Sequence, residues 1–363
     1  MSNAIETRIL PVDPAHPDPA TIDMAAAVIR AGGLVAFPTE TVYGLGANAL
    51  DPVAARRIFA AKERPSSDPL IVHIADMEQL AQVAAAVPEL ARRLTARFWP
   101  GPLTLVLPRQ AVVPNDVTAG GESVAVRMPS HPVALALIRA ARTPIAAPSA
   151  NRFSRPSPTT AQHVLDDLHG RVEIVLDGGP TEIGLESTVL SLLGKTPLVL
   201  RPGGLSLEEL REVVPDVAMR QLTRNVEASD EVLASPGMLT KHYAPRVPLL
   251  VFTGALPRVQ QRLRAAAQQY VHDGKQVGAL LPEDEQGTFG ELPVQVVGLG
   301  ASTDLAAVGA RLFAGLRELE RRDVDIILTH SFGSSGRGLA IWDRMLRASE
   351  GRIIDVDNEG ERS

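Results

Sequence analysis

Basic side chains stand at the ends of predicted elements in the first half of the chain, where they could hold an anion. Lys62 and Arg64 lie within three residues at the end of a predicted helix. Lysine supplies a point charge and arginine a planar fork, so the two could clamp a phosphate. Cations in a last helical turn also complement the helix dipole, and on local grounds this simpler interpretation is favoured.

Further polar clusters follow predicted strands. Arg127 ends an apolar strand, where it could hold a carboxylate or phosphate, although a surface salt bridge is an equally good interpretation. Small residues at 147–151 and hydroxyls at 154–160 would let a ligand approach the backbone, or they form only a proline-stiffened loop. Ser187 opens another predicted strand and Arg201 ends one.

The segment GLVAFPTETVYGLG, residues 33–46, links such clusters to a sheet edge. It predicts a short buried strand at 34–37, a polar turn, and a loop punctuated by Gly44 and Gly46. In α/β proteins, apolar strands that end in hydroxyl- and glycine-rich loops place ligand-binding groups at a sheet edge. Alone, the segment is better interpreted as an ordinary connection, and the downstream clusters favour a site.

Several familiar signatures are missing from the sequence. There is no GxxxxGK[ST], GxGxxG, HExxH or GxSxG pattern, and the histidines show no metal-ligand spacing. His73 lies on an apolar strand, which is more typical of a core histidine than of a catalytic one. The glycine-rich loop at 332–338 could cradle an anion, but a tight turn is the favoured interpretation.

Composition narrows the function further. The chain has no cysteine, which excludes thiolate nucleophiles and cysteine-based zinc sites. A net charge of −6 and 4% aromatic residues argue against tight nucleic-acid binding and against a base-stacking surface. No apolar run suits a membrane span and no leader pattern is present, so we expect a cytoplasmic protein.

The 363 residues exceed what one hydrophobic core usually serves, so we expect two domains. The first, 1–215, alternates strands and helices without strict order, which predicts a mixed sheet. Periodicity fades across 216–247, which is interpreted as a linker. Residues 248–363 alternate cleanly and predict a smaller, Rossmann-like α/β domain.

The motifs also occur in a specific order. PTETVYGLG, KERP, PLIVHI, FWPGPLT, VAVRMP, APSANRFSRPSPT, DGG, EST and LRPG together resemble the threonylcarbamoyl-AMP synthase family. SPGMLTKHYAP and the second α/β domain match the long, two-domain form of that family. The resemblance extends from about Ile5 to Ala348. It implies a first domain built as a twisted open α/β sheet around a basic cavity, with the linker folded over the active site.

The resemblance implies a nucleotidyltransferase. Its members make L-threonylcarbamoyladenylate from L-threonine, bicarbonate and ATP, with release of pyrophosphate. Magnesium accompanies the ATP. The product feeds the threonylcarbamoyl-adenosine modification next to the tRNA anticodon, so the implied partners are tRNA threonylcarbamoyl-transfer proteins.

The resemblance also implies site residues, with Lys62 and Arg64 as the catalytic pair and Arg127 holding the substrate carboxylate. The implied L-threonine site comprises Thr41, His73, Arg127, Ala147 and Ser187. The implied ATP site comprises Lys62, Arg64, Asp68, Ser123, Ser149, Asn151, Ser157 and Arg201, with Gly237, His242 and Tyr243 from the linker.

Asp68 and the linker depart from the family pattern. Many relatives carry Asn or His where this chain has Asp68, and a carboxylate near phosphates would repel them unless magnesium intervenes. The linker has Leu239 and Thr240 where an aromatic or basic residue is frequent.

Two other functional classes are alternatives to a synthase. One is an RNA-binding module, which the acidic net charge disfavours. The other is a carbamoyl-transfer domain of the hydrogenase-maturation type, which would have different neighbouring domains.

Overall fold

The structure, a computed structural model, describes residues 5–220 and 243–358. The described residues divide into two compact units. The first contains residues 5–153 and 157–220, and the second contains residues 154–156 and 243–358. Gly237 and His242 lie outside the described residues, as does most of the predicted linker.

The first unit is built on a mixed sheet whose eleven strands lie within its described residues. Its strands are β1 Arg8–Pro11, β2 Val35–Phe37, β3 Gly44–Asn48, β4 Ile71–His73, β5 Leu103–Pro108, β6 Ser123–Arg127, β7 Ile145–Ala146, β8 Ile174–Asp177, β9 Thr188–Ser191, β10 Leu198–Arg201 and β11 Ala218–Met219. Their order across the sheet is β1-β8-β2-β3-β7-β4-β6-β5-β9-β10-β11. Strands β4 and β6 are parallel neighbours in the middle of this sheet, which places His73 beside Arg127.

Helices cover both faces of this sheet. They are α1 Pro19–Arg30, α2 Pro52–Lys62, α3 Met77–Val83, α4 Glu89–Phe98, α5 Asn115–Thr118, α6 Pro132–Ala141, α7 Ala161–Leu168 and α8 Leu207–Val213. Helices α1 and α2 both begin with an Asp-Pro pair. The side chains of Asp18 and Asp51 accept hydrogen bonds from Thr21 N and Val53 N, and the proline occupies the first turn, where no donor is needed.

Strand β2 shows why the sheet needs cover on both sides. Leu34 and Ala36 belong to one hydrophobic cluster, whereas Val35 and Phe37 belong to another. Successive side chains of a strand point to opposite faces, so the two clusters lie on opposite sides of the sheet. A continuous apolar run is therefore required, as in other sheets buried on both faces.

The predicted glycine-punctuated loop at 44–46 is wrong, because these residues form strand β3. Gly44 and Gly46 pair with Phe37 and Val35. A Cβ on Gly46 would lie 2.7 Å from Phe37 Cε1 and 2.8 Å from Ile145 Cγ2. The glycine is thus needed for close packing on a strand rather than for a turn.

The second unit contains a sheet that is parallel throughout its five described strands, in the order β14-β13-β15-β12-β16. Its elements are β12 Leu249–Thr253, α9 Leu256–His272, β13 Val277–Leu281, a 3-10 helix Glu283–Phe289, β14 Val294–Gly298, α10 Leu305–Arg321, β15 Ile326–His330, α11 Arg337–Ala348 and β16 Ile353–Asp355. The predicted fold class, a mixed-sheet α/β domain plus a smaller Rossmann-like one, is confirmed. No helix among the described residues is long and apolar enough to cross a membrane.

The second unit also encloses a short piece of the chain from the hydroxyl-rich loop. Arg155 donates two hydrogen bonds to the carboxylate of Glu320, at 2.9 and 2.7 Å. Arg317 donates to the carbonyl oxygen of Pro156 at 2.5 Å. The backbone of Ala244 donates to the carbonyl oxygen of Ser154 at 2.7 Å. These contacts explain why three residues of that loop belong to the second unit.

The packing of Gly46 predicts the effect of a single methyl group. Gly46→Ala should lower the free energy of unfolding by about 1–3 kcal/mol, because the new Cβ overpacks the contact with Phe37. Urea denaturation would measure the change. Gly194→Ala is the matched control in the same unit, since its nearest neighbour would lie 3.6 Å away. Equal denaturation midpoints for the two variants would contradict the packing argument.

Candidate functional site

The guanidinium of Arg127 is buried at the end of β6. Its Nη1 donates to Thr41 Oγ1 at 2.9 Å, and its Nε donates to the carbonyl oxygen of Gly101 at 3.2 Å. Its Nη2 lies 2.7 Å from Glu40 Oε1, an ion pair whose side chains are only 4% and 5% exposed. The surface salt bridge considered from sequence is therefore wrong, because this arginine is inside the protein.

The turn after β2 is fixed by its own hydroxyl groups. Thr39 Oγ1 donates to the carbonyl oxygen of Val42 at 2.7 Å and lies 2.8 Å from Thr41 Oγ1. It also accepts from the backbone N–H groups of Thr41 and Val42. The carbonyl oxygen of Glu40 accepts from the backbone of Ile183 at 2.8 Å. These bonds hold Glu40 and Thr41 against the arginine without relying on that ion pair.

His73 is the neighbour of Arg127 in the sheet and is fully enclosed, with 3% of its surface exposed. Burial lowers the pKa of His73 to about 3, and the nearby Arg127 charge contributes in the same direction. The imidazole is therefore neutral at physiological pH. Its ring meets Phe37 edge to face, with 6.4 Å between centroids. Among the described residues its Nδ1 has no hydrogen-bond partner.

Lys62 and Arg64 form a second basic group, which is buried rather than exposed on a helix end. Lys62 Nζ donates to the carbonyl oxygens of Ser149 and, at 2.5 Å, of Asn151. Arg64 Nη2 lies 3.0 Å from Asp68 Oδ2 and donates to the carbonyl oxygen of Pro69 at 2.7 Å. Lys62 lies in the last turn of α2, as the helix-dipole interpretation from sequence expects, but its Nζ and the guanidinium of Arg64 are both buried and also donate to carbonyl groups outside the helix.

Asp68 is the carboxylate of this basic group. Its burial raises the pKa, while the charges of Arg64, Arg201 and Lys62 oppose that shift. Three cations thus act on one enclosed carboxylate. Its Oδ2 is paired with Arg64, whereas its Oδ1 has no hydrogen-bond partner within the described part of the chain.

Hydroxyl groups connect the two basic groups. Arg201 donates to the carbonyl oxygen of Ser187 at 2.9 Å and to its Oγ at 3.3 Å. Ser187 Oγ lies 2.7 Å from Thr104 Oγ1, and Thr104 is the cross-strand partner of Arg127. The next residue back, Glu186, accepts a hydrogen bond from Ser157 Oγ at 2.5 Å. A continuous set of polar contacts therefore links the Arg127 group to the Arg201 group.

Most of the residues implied by the resemblance are thereby brought together in the first unit. Ala147 and Ser149 belong to the same region, since Ala147 N donates to the carbonyl oxygen of Ile71 and Ser149 bridges to Gly44. Ser123 is different. It begins β6, about 13 Å from Arg127 at the ordinary rise of a strand.

Tyr243, predicted to reach the nucleotide from the linker, is packed inside the second unit. Its ring is 1% exposed and lies 5.4 Å from the ring of Phe313. The guanidinium carbon of Arg344 lies 5.2 Å from the centre of the Tyr243 ring. A role for this residue at the nucleotide remains a prediction.

Sequence reasoning missed three members of the site, namely Glu40, Thr104 and Glu186. The sequence places Glu40 in a polar turn three residues after the apolar strand that ends at Phe37, and a carboxylate at such a position is a usable signal. The sequence contains no pattern that marks Thr104 or Glu186 as a site residue, because their positions depend on strand pairing between distant segments.

Other features of the first unit carry less chemistry. A groove of about 810 Å³ runs along α1 and α6, lined in part by Arg30, Arg139 and Arg142. These arginines lie in or just after the last turns of their helices, where cations complement the helix dipole. Across the described residues, no group of three or more histidine and acidic side chains could hold a metal ion.

The fold and these buried charges define an α/β protein that binds a small anionic ligand in its mixed-sheet unit. Two family models match the chain: "Telomere recombination" at residues 27–203, and "Threonylcarbamoyl-AMP synthase, C-terminal domain" at residues 205–350. A threonylcarbamoyl-AMP synthase of Pyrococcus abyssi is 46% identical, covering 92% of this chain and 96% of the relative. The Bacillus subtilis enzyme of that name is 47% identical, covering 92% and 94%.

A solved structure agrees with these relatives. The crystal structure of P. abyssi Sua5 complexed with L-threonine has a TM-score of 0.90 and 44% identity, and it covers 96% of this chain and 99% of that one. The chain therefore belongs to the threonylcarbamoyl-AMP synthase family.

The lowered pKa of His73 predicts a pH dependence of stability. Below pH about 6.5 an unfolded histidine binds a proton that folded His73 resists, so the free energy of unfolding falls as the pH drops toward 3. In His73→Gln this decline should be shallower between pH 7 and 5, as measured by urea denaturation. His169→Gln, at an exposed position, should leave the slope as in wild type. An unchanged slope in His73→Gln would contradict the burial of a neutral imidazole.

Proposed function

We propose that this chain is a nucleotidyltransferase that makes L-threonylcarbamoyladenylate from L-threonine, bicarbonate and ATP, releasing pyrophosphate. The observation that carries the proposal is the pairing of two buried basic groups in one unit. One is a single guanidinium, Arg127, suited to a carboxylate. The other combines Lys62, Arg64 and Arg201 around Asp68 and suits a triphosphate.

The reaction needs positioning and charge stabilisation more than a covalent nucleophile. The free amine of L-threonine reacts with bicarbonate to give a carbamate and water, and a carbamate oxygen then attacks the α-phosphate of ATP. Pyrophosphate leaves from the opposite side of that phosphorus. Cations that lie close to the phosphates stabilise the charge that develops on the leaving group. The chain has no cysteine, which agrees with such a mechanism.

Each basic residue then has a distinct task. Arg127 binds the carboxylate of the amino acid, with Thr41 fixing the guanidinium plane. Lys62 and Arg64 neutralise the triphosphate and the departing pyrophosphate. Arg201, anchored on Ser187, places its charge between the two substrates. Because His73 stays neutral, it adds no positive charge beside the reacting amine.

Magnesium fits this site as a companion of ATP. Carboxylate and phosphate oxygens are the ligands that Mg²⁺ prefers, and Asp68 supplies one buried carboxylate beside the phosphate-binding cations. The triphosphate would provide the other ligands. When bound, the ion adds charge neutralisation for the phosphates. It also removes the repulsion between Asp68 and the nucleotide.

The product places the enzyme at the start of a transfer sequence. A carbamoyl group joined to AMP is an activated acyl donor, so it must be passed to an acceptor before water hydrolyses it. We propose that tRNA threonylcarbamoyl-transfer proteins consume it in modifying the adenosine next to the anticodon.

The activity can be tested with purified chain, ATP, magnesium, bicarbonate and radiolabelled L-threonine. Pyrophosphate and a labelled adenylate should appear only when threonine and bicarbonate are both present. Arg127→Ala and Arg64→Ala should each reduce the rate at least about 100-fold, since each removes a buried charge that meets a substrate. Arg92→Ala, on the exposed side of α4, should match wild type. Threonine-independent pyrophosphate release in wild type would overturn the proposal.

The role of Asp68 gives a separate prediction. Asp68→Asn should raise the magnesium concentration needed for half-maximal pyrophosphate release by about 10-fold, since a neutral amide is a weaker ligand for a hard cation. Magnesium titration at saturating ATP measures this change. Asp116→Asn, which alters a partly exposed ion pair, serves as the control. The same magnesium requirement in Asp68→Asn and wild type would show that Asp68 does not serve the ion.

A further inference from the structure

Glu40 and Arg127 form a buried pair that is incomplete by itself. Their side chains are 5% and 4% exposed, and Oε1 lies 2.7 Å from Nη2. The two groups are in contact as charges, but the contact is not aligned as a hydrogen bond. Within the described residues, neither the carboxylate oxygens of Glu40 nor Nη2 of Arg127 make a hydrogen bond to any other group. Burying two charges is repaid only when the geometry is good and the remaining donors and acceptors are satisfied. The pair therefore contributes little to the stability of the fold, but its unsatisfied donors and acceptors are available to bind a ligand.

The two charges match the two ends of a free amino acid. At neutral pH an α-amino acid carries a carboxylate and an ammonium group on the same carbon. A guanidinium next to a carboxylate presents the complementary charges at a similar spacing. The orphan oxygens of Glu40 accept hydrogen bonds, and an ammonium group has three to donate.

We propose that Glu40 binds the α-ammonium group of the amino-acid substrate while Arg127 binds its carboxylate. The inference rests on the proposed function, and it adds the residue that recognises the amine. The pair restricts this site to zwitterionic amino acids. Glu40 also fixes the position of the nitrogen atom, on which the carbamate forms once the ammonium group has released a proton to water.

Asp68, the other buried carboxylate of the site, is unsuited to this task. The charges of Arg64, Arg201 and Lys62 all act on it, and these would repel an ammonium group. Glu40 has one guanidinium within salt-bridge distance. The local charge balance therefore assigns the amine to Glu40 and the phosphates to the group around Asp68.

The backbone around Glu40 is prepared for binding. Thr39 fixes the turn on both sides of it through bonds to Thr41 and Val42, and Ile183 holds its carbonyl oxygen. The carboxylate is thus positioned without support from Arg127. Preorganisation of this kind reduces the ordering cost of binding a small ligand.

The test uses isothermal titration calorimetry to compare two ligands in wild type and in three variants. The ligands are L-threonine and 3-hydroxybutanoate, which keeps the carboxylate and hydroxyl of threonine but lacks the amine. The proteins are wild type, Glu40→Gln and the control Glu122→Gln, which changes a side chain that is 90% exposed. Glu40→Asp keeps the charge, so it reports on the site if the glutamine variant fails to fold.

Wild type and Glu122→Gln should bind L-threonine about 10- to 100-fold more tightly than 3-hydroxybutanoate, as expected for a charged hydrogen bond. In Glu40→Gln the affinity for L-threonine should fall to that of the analogue, while the affinity for the analogue stays within about threefold. Glu40→Asp should keep a preference for L-threonine.

Three results would overturn the inference. An equal loss for both ligands in Glu40→Gln would mean that Glu40 only maintains the fold of the pocket. Retention of the full preference for L-threonine in Glu40→Gln would mean that another group recognises the amine. Loss of that preference in Glu40→Asp would show that the charge at this position is not its cause. If wild type binds neither ligand, the proposed function itself is wrong. The three outcomes above would contradict only the role of Glu40 and would leave the proposed function standing.

Discussion

The burial of a guanidinium at the end of a central strand is the constraint on which the first unit depends. A charged side chain that leaves water must find partners, and Arg127 lies against three segments that are distant from it in the sequence. The turn after β2, the loop before β5 and strand β4 all approach it. The partners of this one charge therefore fix the relative positions of these three segments. Burial lowers the pKa of the neighbouring His73, and the charge of Arg127 lowers it further.

The balance of buried charges also explains how the site can bind two different substrates in two separate regions. Around Asp68 three cations outnumber one carboxylate, so the local field favours a polyanion, whereas around Arg127 one cation faces one carboxylate and favours a zwitterion. The connection between them runs through neutral hydroxyl groups on Thr104 and Ser187 rather than through further charges. An overall charge of −6 is compatible with both regions, since each is a local feature inside an acidic protein.

The sequence predicted the elements well where a single segment determines them. The short buried strand predicted at 34–37 is observed as β2, Val35–Phe37, because the apolar run that defines it lies within one segment. Strand β3 was missed because Gly44 and Gly46 are typical of loops, and only the approach of Phe37 explains them. The basic residues were recognised, but their burial and the role of Glu40 depend on pairing between distant strands, which one sequence does not reveal.

This distribution of charge also explains why so few side chains of the first unit need intrinsic reactivity. The nucleophile of the proposed reaction is made from the substrate amine and bicarbonate, and the leaving group is pyrophosphate, so the protein must supply alignment and counter-charge. Both are supplied by side chains held on strand ends and on a hydroxyl-fixed turn, where the backbone itself sets their positions. A rigid sheet edge suits such chemistry, because a displacement of about one ångström between the carbamate and the phosphorus atom would reduce the rate by about 100-fold.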